Sequence, residues 1–291
     1  MTNAITGQGP STRRRRRRGA EHNPLVWCAV AIVMVFSLVP LYWLINTSLK
    51  TGPDLSTASL TPPRPTLDNY LAVLGDSRFL GALVNSIIVA TTTTILALTV
   101  ASFAAYPLAR LTMRGKFLIL SIVLSVTTFP GIAIAAPMFA LWNDLGLYNT
   151  LVGLIIPYLT FTLPLSIYTL VSFFKEIPVE LEEAAYIDGT SPFLAYYKVI
   201  LPLAAPSIAT VGILAFIFAW NEFLLAATLT YSPTARTVPV AIAFFTGASE
   251  YEQPLGTISA ASVIISIPLV LLVLVFQKKI VSGLTAGAVK G

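Results

Sequence analysis

The chain has 291 residues, 56% hydrophobic and 11% charged, with a mean hydropathy of +0.80. Soluble domains carry about 25% charged residues, so this composition excludes an ordinary water-soluble globular protein and points to a membrane. A net charge of +5 invites a nucleic-acid reading, but the cations follow the apolar runs rather than forming one patch, and the single cysteine, Cys28, rules out an internal disulfide.

Residues 1–23 are rich in Arg, Gly, Ser and Thr and too poor in apolar side chains to fold alone, so a disordered tail is expected. Its run from Arg13 to Arg18 admits a nucleic-acid or anionic-lipid contact, but the plainer reading is a tail that holds the amino terminus inside. Six apolar segments then follow at about 25–48, 81–108, 117–141, 150–174, 204–228 and 257–277. Each is long enough to cross a bilayer core, which takes ~20 residues. The first is too long for a secretory signal and ends without an A-x-A-like site, so it reads as an anchor. With the amino terminus in the cytoplasm, fourteen lysines and arginines fall on the cytoplasmic side. Only Lys50, Arg64, Arg78 and Arg236 fall outside, the asymmetry that the positive-inside rule requires. The fold class predicted is therefore all-α, a polytopic membrane protein of six transmembrane helices with both termini cytoplasmic.

In the first external loop, Thr61-Pro62-Pro63-Arg64-Pro65 breaks any helix, whereas Leu67 to Leu74 suits a short helix lying on the membrane. Trp142 and Tyr148, between segments three and four, read as interfacial anchors. Pro130, Pro137, Pro157 and Pro164 predict bends in segments three and four, a feature shared by ordinary kinked helices and by bundles that open on alternate sides. No short repeat and no GxxxG pair stands out.

The cytoplasmic loop of about 175–203 carries the most information. Pro178 suits a first helical position, and Glu180, Glu182 and Glu183 then complement the helix dipole. Leu181, Ala184 and Ala185 form a small apolar face, and Gly189 ends the helix through positive φ. Ser191-Pro192 starts a second helix that Leu201-Pro202 closes. The product is a helix, a sharp turn and a second helix outside the bilayer, shaped as a knob for a partner's groove or, more plainly, a solvated amphipathic loop.

The spacing E-A-A-x3-G-x9-[IV]-x-L-P, running from Glu183 to Pro202, resembles that of the permease subunits of binding-protein-dependent ABC importers, with Val199 where isoleucine is usual. Asp188-Gly189, Trp220-Asn221-Glu222-Phe223 and the ending Gly283 to Gly291 are similar to the carbohydrate branch, the six-span permease of maltose- and trehalose-type transporters. The resemblance covers about residues 25–291. It implies a type I ABC importer permease fold, with a permease domain at 24–280 and a cytoplasmic tail at 281–291. It also implies ATPase coupling through Glu182, Glu183, Ala184, Ala185, Asp188, Gly189, Leu201 and Pro202, and a tail contact with the ATPase at Gly287 and Lys290. Glu250, Tyr251 and Glu252 would meet an extracytoplasmic sugar-binding (lipo)protein. The implied partners are a second homologous permease, a dimer of ATP-binding subunits, that binding protein, a disaccharide and membrane lipid, with no nucleic acid. ATP and Mg would sit on the ATPase, with no cofactor bound by this chain.

No G-x4-G-K-[ST] loop is present, since Gly115-Lys116 runs into Phe117, so any ATP hydrolysis must be borrowed. The only histidine, His22, lies in the expected tail, which leaves no Ser-His protease and no ordinary zinc site. Glu222 is the candidate for a charge at membrane depth, and with Trp220, Asn221 and Asn85 it marks a possible substrate pathway. Asn85 and Ser86 also read as helix-packing polar groups. Two rival functions remain, an ion-coupled secondary transporter that protonates Glu222 and a non-transporting membrane scaffold whose loop recruits a partner.

Overall fold

The computed structural model describes residues 24–245 and 254–288, with side chains as far as Gln277; the expected tail at 1–23 lies outside the described residues. Among them the chain is helical throughout, and no strand occurs. Helix α1 spans Pro24–Ser48, α2 Asp68–Gly75, α3 Ser77–Arg110, α4 Lys116–Ser125, α5 Gly131–Asp144 and α6 Leu151–Glu176. A short α7, Glu180–Ile187, leads to α8, Pro192–Asn221, followed by α9, Leu224–Leu229, α10, Val238–Ala243, and α11, Leu255–Ala288. Among the described residues five helices are long and apolar enough to cross a membrane, or six if the bent pair α4–α5 is counted as one span.

That third span is not the single kinked helix that the sequence suggested. It stops at Thr128 and restarts at Gly131 with an 87° bend. Phe129 and Pro130 are both extended, because the proline ring drives the residue before it out of the helical region and offers no N–H of its own. Pro137, Pro157 and Pro164, by contrast, stay inside continuous helices.

The centre of the bundle is α3 packed against α6 and α8. One face of α3 presents Ala90, Thr93, Ala97, Ala101 and Ala105, all fully buried, at three- and four-residue steps. Small side chains on one stripe let neighbouring backbones approach closely, which is how helices associate where no hydrophobic force acts between them. Gly212 of α8 belongs to the same contact, since a Cβ there would lie 2.8 Å from Leu98 Cδ1. Helix α1 packs against α11. None of its most apolar window is buried by the rest of the chain, and a helix apolar on all sides finds its solvent in lipid.

At the end of the bundle opposite the 177–191 loop, polar side chains hold the connections. Asn69 of α2 donates to Ser48 O (2.9 Å) and Lys50 O (2.8 Å), and the buried Lys50 ammonium donates to Thr57 O (3.2 Å) and Ser59 O (3.1 Å). The helix expected at 67–74 therefore forms at Asp68–Gly75, but it packs on α11 through buried Val73 as well as facing outwards. Asn149, at φ 59°, accepts from the N–H groups of Tyr231 (3.1 Å) and Ser232 (3.0 Å), while the Tyr148 ring stacks on Tyr231. Trp142 is a core residue rather than an interfacial anchor. It is buried, and its indole N–H donates to Gly153 O at 2.6 Å, because a buried indole donor needs a partner.

Candidate functional site

The loop between α6 and α8 folds as its residues dictate. Pro178 holds Ile177 extended and ends α6, and the N–H of Leu181 already bonds back to Pro178 O, so the proline stands at the entry to α7. Glu180, Glu182 and Glu183 occupy the first turn. The exit is a Schellman motif: Thr190 N–H donates to Ala185 O and Gly189 N–H to Tyr186 O, both at 3.0 Å, with Gly189 at φ +82°. Nothing lies within 4 Å of where a Cβ would sit on Gly189, so glycine is required by the backbone angle and not by space. Ser191 Oγ then accepts from Leu194 N–H (3.4 Å), with Pro192 at the first helical position.

Leu201-Pro202 does not close the second helix. The chain passes from Pro192–Ala195 through a π-helical stretch, Tyr196–Ile200, into the fifth span without a break. Leu201 N–H reaches back five residues to Tyr196 O, and this wider turn admits Pro202, which has no N–H to give. The second arm of the loop is therefore the end of a membrane helix.

The acidic turn divides into two roles. Glu183, Ala184, Asp188 and Gly189 are exposed, and Ile187, at 87% exposure, forms the tip with Phe193 and Tyr197 exposed beside it. Glu182 faces the other way. It is 4% exposed, forms an ion pair with Arg110 at the end of α3, and accepts from the Tyr106 hydroxyl at 3.0 Å. Arg110 Nη2 also donates to Ile177 O at 2.8 Å. Removing one partner of such a buried pair costs about 3–5 kcal/mol, since it strands the other charge. The apolar face expected from Leu181, Ala184 and Ala185 is split as well, with only Ala185 buried.

The other predicted residues are scattered. Trp220 is 2% exposed and stacks on Phe216 inside the core. Asn221 is exposed, with its amide nitrogen on Ile217 O at 2.8 Å. Helix α8 ends there, and the half-buried Glu222 carboxylate accepts from the N–H groups of Leu225 (2.8 Å) and Ala226 (3.1 Å), capping α9. Asn85 donates to Thr234 O (3.1 Å) and Arg236 O (3.0 Å), and Ser86 accepts from Val238 N–H (2.8 Å), so both hold the 230–238 connection against α3. Glu250, Tyr251, Glu252 and Lys290 lie outside the described residues. Gly287 falls within α11, whose helix runs to Ala288 through most of the expected tail. A cavity of about 220 Å³, which sequence reading did not foresee, opens beside α4, α6 and α8, with the Phe161 and Phe218 rings near the hydroxyls of Thr127, Thr162 and Ser166.

A family profile described as "Binding-protein-dependent transport system inner membrane component" matches residues 97–285, from the core of α3 through the loop to α11. The chain belongs to this family. It is 47% identical over 260 residues to the trehalose transport system permease protein SugB of Mycobacterium tuberculosis, covering 89% of this chain and 95% of that one. Identity is 43% over 270 residues to the sulfoquinovosyl glycerol transport system permease protein SmoH of Agrobacterium fabrum, covering 92% and 94%. It is 44% over 264 residues to the trehalose/maltose transport system permease protein MalG of Thermococcus litoralis, covering 90% and 95%. The fold matches that of a bacterial ABC transporter involved in the import of the acidic polysaccharide alginate, with a TM-score of 0.74 at 23% identity over 93% of this chain and 99% of that one. This permease is thus a multi-pass membrane protein with an ABC importer permease fold, and its family is one of transport components rather than enzymes.

Proposed function

We propose that this permease is a subunit of an ATP-driven sugar importer and that the hairpin α7–Gly189–α8 is its coupling knob. The observation that carries the reading is the hairpin itself, with Glu183, Ala184, Ile187 and Phe193 presented to solvent at the end of two membrane helices. Its end of the bundle is cytoplasmic in the reading given by the charge asymmetry of the sequence. A dimer of ATP-binding subunits, carrying ATP and Mg, seats the knob through Glu183, Ala184, Asp188 and Gly189, with Leu201 and Pro202 stiffening its second arm. Gly287 and Lys290 supply a tail contact to the same subunits. A second homologous permease completes the pathway, and an extracytoplasmic binding protein delivers the sugar near Glu250, Tyr251 and Glu252. The cargo is a disaccharide of the trehalose or maltose type, in keeping with two of the three relatives named above. The aromatic and hydroxyl-bearing cavity beside α4, α6 and α8 is the face of this chain that suits a carbohydrate path.

ATP-driven closure of the ATPase dimer moves the knob, and the spans swing from inward- to outward-facing so that the binding protein can release its sugar. Hydrolysis resets the cycle. Gly189→Pro, which destroys the left-handed exit, and Glu183→Arg, which reverses an exposed charge, test the assignment. Both are expected to weaken ATPase docking and abolish uptake. Normal assembly and normal transport in both would sink the coupling role. An ion-coupled mechanism through Glu222 has less to recommend it, because both carboxylate oxygens are engaged by the backbone N–H groups of Leu225 and Ala226 at the start of α9.

A further inference from the structure

Ser102, Tyr106 and Arg110 stand at i, i+4 and i+8 on the last turns of α3, and so share one face of that helix. Each meets a polar group of the loop. The Ser102 hydroxyl bonds to the Tyr196 hydroxyl at 2.7 Å, the Tyr106 hydroxyl donates to Glu182 Oε2 at 3.0 Å, and Arg110 pairs with Glu182 Oε1. The same guanidinium donates to Ile177 O, between α6 and α7. One side chain thereby grips both the end of the fourth span and the root of the knob. The rings of Tyr106 and Tyr196 add a contact at 4.8 Å.

Helix α7 is otherwise lightly held, with Tyr186 adding a contact to Tyr106. Of its eight residues only Glu182 and Ala185 are buried. An alanine contact slides easily, whereas pulling apart a buried charge pair strands both charges, and the Tyr106 hydroxyl on Glu182 Oε2 and the Arg110 guanidinium on Ile177 O add directional bonds. Side-chain exposures of 9% for Arg110 and 5% for Glu182 keep water from competing for these contacts.

We propose that Arg110, Tyr106 and Glu182 form a clamp that makes α7 and the inner end of α3 one rigid piece, so that displacement of the knob is delivered directly to the second span. The proposal rests on the coupling role of the knob. Glu182 is on this view a positioning residue facing the bundle, while Glu183 faces the ATPase. The prediction is a fixed distance within the chain during a cycle in which other distances change.

The test uses the full transporter, with the sole cysteine replaced (Cys28→Ser) and spin labels at Ile187→Cys and Val100→Cys, both exposed positions outside the clamp. The Ile187–Val100 distance is expected to stay the same between nucleotide-free and ATP-bound states. In Glu182→Gln it is expected to broaden, with ATP hydrolysed per sugar imported rising severalfold. A residue that merely stabilised the fold would lower uptake and hydrolysis together, in proportion to the complex assembled, and that result overturns the proposal. So does a wild-type distance that changes between states, a measurement that stands even where Glu182→Gln fails to assemble. Failure of the coupling role itself looks different, because the Ile187 label would then not be immobilised on adding the ATPase.

Discussion

Replacing Gly189 isolates the backbone contribution to the knob. The residue sits at φ +82° with nothing within 4 Å of the site of a new Cβ, so a substitution meets no neighbour and feels only the left-handed conformation. For alanine that conformation costs about 1–2 kcal/mol, and asparagine tolerates it better. At 1.36 kcal/mol per factor of ten, the closed hairpin in Gly189→Ala should be disfavoured by roughly 5- to 30-fold relative to its open forms. The two Schellman bonds, Thr190 N–H to Ala185 O and Gly189 N–H to Tyr186 O, report that equilibrium directly. Hydrogen exchange read by mass spectrometry on peptides spanning 184–195 should show protection lost in the order Val greater than Ala greater than Asn. The spans should keep their protection in all three variants. Equal protection in Gly189→Ala and wild type, or a larger loss in Asn than in Ala, would refute the conformational argument.

Other perturbations probe different contacts. Gly212→Val places side-chain atoms against Leu98, 2.8 Å from the new Cβ, and overpacking of this kind costs about 1–3 kcal/mol; detergent-solubilised protein should lose thermal stability, and none would be lost if α3 and α8 were free to separate. Asn69→Ala leaves Ser48 O and Lys50 O without their donor, at a cost of about 1–3 kcal/mol, and should speed proteolysis in the 49–67 loop. Glu222→Gln keeps one acceptor for the α9 cap, so uptake should persist with an unchanged pH profile; an abolished ion-driven uptake would revive the ion-coupled reading. A cysteine at the exposed Ile187, on the Cys28→Ser background, should react with a membrane-impermeant maleimide only from the cytoplasmic side.

The spans were legible because hydropathy and charge asymmetry are written locally, residue by residue. The glycine exit and the Ser191-Pro192 restart were legible for the same reason, since each needs only its own few residues. Glu182 was not. In sequence it stands beside Glu180 and Glu183 as one of three equivalent carboxylates, and only the arrival of Arg110, 72 positions earlier, separates it from them. The i, i+4, i+8 placement of Ser102, Tyr106 and Arg110 was a readable signal, as was the Ala90–Ala105 stripe that stands in for a GxxxG pair. The continuous helix through Leu201-Pro202 escaped because a π-helical turn, which leaves no compositional mark, absorbs the proline. At the far end, Asn85 and Glu222 resembled pathway residues by chemistry alone; Asn85 is bound to backbone about 150 positions away, which no local pattern shows, whereas Glu222 caps the helix that begins just after it, a local signal that could have been read.

The central claim, that this permease moves sugar only when joined to a separate ATPase, is tested most directly in proteoliposomes. The chain would be reconstituted with its second permease and ATP-binding subunits, supplied with loaded binding protein, and assayed for uptake of labelled trehalose or maltose. Uptake should require ATP and every component, and should vanish when the chain is present alone. Uptake by the lone chain under an ion gradient, or full ATP-driven uptake without this chain, would contradict the account.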